Sequence, residues 1–189
     1  MIDDITSQLQ SHRSVMEAVE RQMLPQITEM AVLLADTFNR GNKLLVMGNG
    51  GSAADSQHFA AEIVSRFRME RRALPAVALS TDTSILSAIG NDYGFESVFS
   101  RQVEALAAAG DMVVGISTSG NSVNVEKALA LARARGCRTV GLLGRDGGSI
   151  RNVCGLSLIV PSDDTPRIQE AHIAIIHIVC DLVEKALFS

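Results

Sequence analysis

The chain has 189 residues, 47% of them hydrophobic and 20% charged, enough to bury one sizeable core and too few for two comfortable domains. Its net charge of −4 argues against the broad basic face that nucleic acid or an acidic membrane selects. Three widely spaced cysteines, Cys137, Cys154 and Cys180, make no Cys-x-x-Cys pair, and together with the acidic start Met1-Ile2-Asp3-Asp4 and the lack of any apolar run near ~18 residues they lead us to expect a reducing cytoplasm.

From Ile5 to about Glu20 and from Gln26 to Phe38, apolar residues recur at helical spacing, so the spacing predicts two N-terminal helices divided by Pro25. His12 reads as an exposed bystander on the first of them. Five short apolar runs follow: Leu44–Met47, Ala76–Leu79, Met112–Ile116, Thr139–Leu143 and Leu156–Val160. Between them lie helix-like stretches at Ala53–Phe67, Ser84–Ala88 with Glu96–Ala108, and Val123–Arg135, and Arg167–Leu187 closes the chain as a long amphipathic helix. This alternation predicts an α/β fold, a parallel sheet covered by helices on both faces.

In such sheets ligands gather at the carboxyl ends of the strands. The first strand runs into Gly48-Asn49-Gly50-Gly51-Ser52, a glycine turn feeding a helix; it serves either as an anion site at the helix N-terminus or as a tight connection and nothing more. The second strand is followed by Ser80-Thr81-Asp82-Thr83. After the third comes Ser117-Thr118-Ser119-Gly120-Asn121-Ser122, whose hydroxyls can cap a helix or, with it, surround a phosphate without a lysine. His58 and Glu62, four residues apart, share one face of the helix after the glycine turn, an acid–base or metal-ligand spacing as well as a common surface pair. His177 interrupts an apolar helix face, and Gln169 precedes it by eight residues, about 80° around the helix axis. His58, Glu62, Gln169 and His177 could together make a mixed nitrogen and oxygen site, though glutamine is an unusual zinc ligand. Arg66, Arg68, Arg71 and Arg72 read as a solvated helix end, with Arg66 free to reach toward a neighbouring subunit.

These segments, with Ala88-Ile89-Gly90-Asn91-Asp92-Tyr93-Gly94 and Arg167-Ile168-Gln169-Glu170, resemble the bacterial phosphoheptose isomerases of the sugar isomerase (SIS) domain superfamily over nearly the whole chain. The resemblance implies a five-stranded, flavodoxin-like sheet sandwiched by helices, with residues 1–40 a helical extension packing in the oligomer and residues 41–189 the SIS domain. It implies a cytoplasmic, zinc-dependent homotetramer, one zinc per subunit, interconverting D-sedoheptulose 7-phosphate and D-glycero-D-manno-heptose 7-phosphate for surface-glycan heptose. Asn49, Gly50, Gly51, Asn91 and Asp92 are then expected to contact substrate, with Ser117, Thr118, Ser119 and Ser122 on its phosphate. His58, Glu62, Gln169 and His177 look like the zinc ligands, Glu62 and Gln169 also touching substrate.

Moving a carbonyl between adjacent carbons needs a carbon base, an acid–base partner and charge stabilisation of an enediolate. The expected base is Glu62 and its partner His177, with zinc as Lewis acid. One departure from the family pattern is Pro166, which stands where some members carry an acidic residue before the basic one. The competing reading is a non-enzymatic SIS scaffold that associates with the bacterial replication initiator. Such a scaffold has no need of the His58, Glu62, Gln169 and His177 set or of the second glycine of the turn, and this chain keeps them all.

Overall fold

The computed structural model describes Met1–Ser189. Five parallel strands, β1 (Leu44–Gly48), β2 (Ala76–Ala78), β3 (Met112–Ser117), β4 (Arg138–Gly144) and β5 (Leu156–Val160), form one sheet in the order β2-β1-β3-β4-β5. The register runs without a bulge, Leu44 opposite Met112 and Met112 opposite Arg138. Every residue of β1 and β3 is buried, as expected of strands covered on both faces, and this explains their unbroken apolar runs.

Alternate strand residues feed two cores. Leu44, Val46, Val114 and Ile116 pack with helices α1 (Ile2–Gln22), α2 (Leu24–Asn39), α3 (Gly51–Val64) and α7 (Thr165–Phe188). Leu45, Met47, Val113 and Leu143 pack on the other face against α5 (Ser100–Leu106) and α6 (Val123–Ala134). Chain order reverses between β1 and β3, so their two following loops diverge to opposite faces and leave a crevice at the switch point.

Several boundaries differ from the sequence reading. The break between α1 and α2 falls at Met23, and Pro25 sits inside the first turn of α2, where a missing N–H costs nothing. Helix α4 (Thr83–Tyr93) runs past Ala88 and stops at Gly94, whose φ of +86° suits glycine alone; a 3-10 turn Phe95–Ser97 then precedes α5. No residue of α4 is buried, and its Ile85 and Tyr93 face outward.

His12 is not a bystander. Its Nδ1 lies 2.8 Å from Glu170 Oε2, and Arg167 joins the same Glu170 while donating to the Gln8 carbonyl and side chain, so α1 is laced to α7. Nor is the arginine group uniformly solvated. The Arg71 side chain is 1% exposed and pairs with Glu184, itself 2% exposed, at 2.8 Å, because the chain after α3 turns back across α7 and carries it inward. At the amino end of the strands a second buried carboxylate, Asp111, accepts from Lys43 Nζ at 2.6 Å and from the Lys43 and Ala108 N–H groups.

Candidate active site

The glycine turn is built for close approach. A Cβ on Gly48 would stand 2.6 Å from the Ser52 carbonyl oxygen, and Gly50 takes a φ of +56°, so the turn tolerates no side chain at the first and strains one at the second. Gly51 opens α3, and a Cβ there would stand 2.3 Å from Gln169 Nε2. The Gln169 amide on α7 therefore lies directly over the turn. Asn49 exchanges reciprocal 2.9 Å amide hydrogen bonds with Asn124 on α6, tying the turn to the helix behind the serine loop.

The serine loop ends β3. Ser117 and Ser122 hydroxyls lie 2.9 Å apart, and the Ser119 hydroxyl accepts from the Asn121 N–H at 3.1 Å. The N–H groups of Thr118, Ser119 and Ser122 make no backbone bond within the chain, and Ser122 is the N-cap of α6 without capping it through its side chain. Free N–H groups, four hydroxyls and a helix N-terminus thus share one edge, a setting that favours an anion. The loop is seated by residues 144–150: the Ile150 N–H donates to the Gly120 carbonyl, the Ser149 N–H to Asn121 Oδ1, and a Cβ on Gly120 would strike the Gly147 carbonyl oxygen at 2.2 Å. By contrast, the turn after β2 is spent on capping, with Asp82 Oδ1 accepting from the Ile85 N–H.

Helices α3 and α7 bring together His58, Glu62 and His177. Their ligand atoms lie within 4.8 Å of one another; the two Nε2 atoms are 2.9 Å apart, and Glu62 Oε1 is 3.2 Å from His58 Nε2. Three lone-pair-bearing atoms this close are reconciled by shared protons or by one cation. Around a tetrahedral zinc, bonds of about 2.0–2.2 Å put ligand atoms roughly 3.3–3.6 Å apart, so the set fits zinc in donor type, while the two Nε2 atoms at 2.9 Å stand closer than such a site holds them. Phe67 stacks on the His177 ring at 5.6 Å and 29°. One turn before His58, Asp55 has a carboxylate oxygen buried without a partner; burial pushes its carboxyl up to about 6, with the charge of His58 partly opposing.

The structure thus gathers the glycine turn, the serine loop and the His58, Glu62, His177 group along one sheet edge and helix pair, with the Gln169 amide over the turn. Asn91 and Asp92 are different: they sit exposed at the end of α4, with Asn91 Nδ2 donating to Asp92 Oδ1 at 2.7 Å. Asn124, Phe67 and loop 144–150 escaped the sequence reading. The pair Gly147-Gly148 was the available signal for the last, since both adopt positive φ. The largest hollow, about 390 Å³ between His12, Val19, Leu24, Ile27 and Ile178, is lined by no residue of the glycine turn, the serine loop or the His58, Glu62 and His177 group.

A family model described as SIS domain matches residues 9–144. Over its whole length the chain is 71% identical to a phosphoheptose isomerase of Pelobacter propionicus, which it covers completely, and 73% identical over 188 residues to one of Geobacter sulfurreducens, again with both chains fully covered. The solved structure of phosphoheptose isomerase from Neisseria gonorrhoeae is similar with a TM-score of 0.92 at 44% identity, covering 97% of this chain and 98% of that one.

Proposed function

From the premise that the chain belongs to the phosphoheptose isomerases of the SIS domain family, we propose how its site carries out that chemistry. The chain is an aldose–ketose isomerase, interconverting D-sedoheptulose 7-phosphate and D-glycero-D-manno-heptose 7-phosphate in heptose precursor biosynthesis. The observation that carries the reading is the convergence of His58 Nε2, Glu62 Oε1 and His177 Nε2 beside the anion-competent loops.

The sugar's phosphate is held by the hydroxyls of Ser117, Thr118, Ser119 and Ser122 and the free N–H groups at the start of α6. Asn49, Gly50 and Gly51 line the sugar, with the Gln169 amide packed against the turn beside it. His58, Glu62, Gln169 and His177 hold one zinc per subunit. When bound there, zinc supplies Lewis acidity toward the substrate's oxygens. Glu62 directs Oε1 at the ligand group and keeps its second oxygen for taking the carbon-bound proton and returning it to the neighbouring carbon. His177 directs Nε2 at the same group, so its proton traffic with the sugar hydroxyls runs through Nδ1, the ring being oriented by Phe67.

The working unit is a cytoplasmic homotetramer in which residues 1–40 pack between subunits. Support comes from α4, none of whose residues is fully buried within the chain and which carries Asn91 and Asp92 on its exposed surface; these two complete the substrate contacts in the assembly. No helix is long and apolar enough to cross a membrane.

The test is isomerisation of sedoheptulose 7-phosphate by purified protein before chelation, after it, and with zinc restored. Activity should vanish and return; turnover that survives complete metal removal would reject the zinc role, and no turnover under any metal condition would reject the isomerase mechanism.

A further inference from the structure

We propose that the buried Arg71–Glu184 pair, with Phe67, is a positioning device that sets the distance between the two helices bearing the candidate metal ligands; this rests on the zinc reading above. Glu184 lies seven residues after His177 on α7, two turns along nearly the same face. Arg71 Nε donates to Glu184 Oε1 at 2.8 Å, while the rest of its guanidinium caps the end of α3, donating to the carbonyls of Glu62 at 2.9 Å, Ile63 at 3.0 Å and Ser65 at 3.4 Å. One planar fork therefore grips the backbone of Glu62 itself and a side chain anchored two turns from His177.

Glu184 completes the grip from the other side. It accepts from the N–H groups of Phe67, Arg68 and Met69 at 2.8, 2.8 and 2.9 Å, and Phe67 is the ring stacked on His177. Both ends of the ligand group, Glu62 through its carbonyl and His177 through its ring face, are thus fixed by the same ion pair. A purely stabilising role explains less, since a buried ion pair gains little over well-packed apolar residues. The Lys43–Asp111 pair, at the opposite end of the strands, ties backbone and side chain in a comparable way without touching the site.

That second pair supplies the control. Arg71→Lys keeps the charge opposite Glu184 but cannot reproduce the fork, and Phe67→Leu removes only the ring. Zinc affinity of the metal-free protein is measured by competition with a chromophoric chelator, alongside thermal unfolding and separate kcat and KM. Partners one shell out from a metal change its affinity by about 10- to 100-fold, so both variants should bind zinc at least about tenfold more weakly, with kcat reduced and KM little changed because the phosphate loop is elsewhere. Asp111→Asn should lower the melting temperature and leave zinc affinity as in the wild type. If Arg71→Lys does not fold, Phe67→Leu decides alone. Zinc affinity within twofold of wild type in the folded variants, or an equal loss in Asp111→Asn, overturns the inference while the metal reading stands; a wild type that binds no zinc overturns both.

Discussion

His172 gives the sharpest energetic prediction. It is fully buried on α7, with Nε2 3.0 Å from the Leu143 carbonyl oxygen and Nδ1 buried without a partner. Burial, only partly offset by that carbonyl, pushes its pKa down from 6.5 to about 4. The unfolded chain therefore binds the proton first, and the contribution of the neutral ring is full above about pH 6.5 and is lost as pH falls toward 4. The whole effect amounts to about 3 kcal/mol, of which about 2 kcal/mol is gone by pH 5. Asp55 acts in the opposite sense over much of this window: its carboxyl is raised to about 6, so its burial cost is relieved on acidification, by less than the shift implies because the group is only half buried. The comparison must consequently be between wild type and His172→Gln, which keeps a donor for Leu143 and does not titrate. Urea unfolding of both metal-free proteins, at one fixed protein concentration from pH 8 to pH 5, should show the wild-type advantage shrinking by about 2 kcal/mol. Curves that stay parallel within about 0.5 kcal/mol would refute the assignment of a buried neutral imidazole.

Two further substitutions separate the site from the fold. Gly51→Ala forces the Gln169 amide off the turn, yet the clash is with the far end of a flexible side chain and alanine favours a helix by about 1 kcal/mol; the melting temperature should hold or rise while kcat/KM falls at least about tenfold, and unchanged activity would remove Gln169 from the site. Ser122→Ala deletes one of the paired hydroxyls and should raise KM for the sugar phosphate about 5- to 20-fold, the loss of one charge-assisted bond of about 1–2 kcal/mol, with kcat less affected. A KM equal to wild type would place the phosphate elsewhere.

The fold was legible because its signals are local. Fully buried strands read as unbroken apolar runs, and the change from helical to strand periodicity after residue 40 marks where the sheet starts. The serine loop and the spacing of His58 and Glu62 were legible for the same reason, each being complete within one short segment. What stayed hidden depends on a partner remote in sequence. Asn124 acquires its role only by meeting Asn49, His12 only by meeting Glu170, and Arg71 looks like its solvated neighbours until Glu184 is brought against it. Loop 144–150 is of the same kind, since its glycines matter through the carbonyl of Gly120 and not through anything within the loop.

Helix α7 shows why such pairings concentrate where they do. At roughly 100° per residue, Gln169, His177 and Glu184 fall within about 80° of its circumference, and each meets a different part of α3 and its flanks: the first turn at Gly51, the His58 and Glu62 face, and the chain after α3, whose Arg71 holds the C-terminal carbonyls. One straight helix laid along another thus fixes the substrate turn, the ligand group and the distance between them together. A rotation of α7 would displace all three at once, whereas a slip of the serine loop would disturb only the phosphate. The expectation that follows is an asymmetry in kinetics: substitutions along the α3–α7 contact should act on kcat and metal affinity together, and substitutions along β3 and α6 on KM.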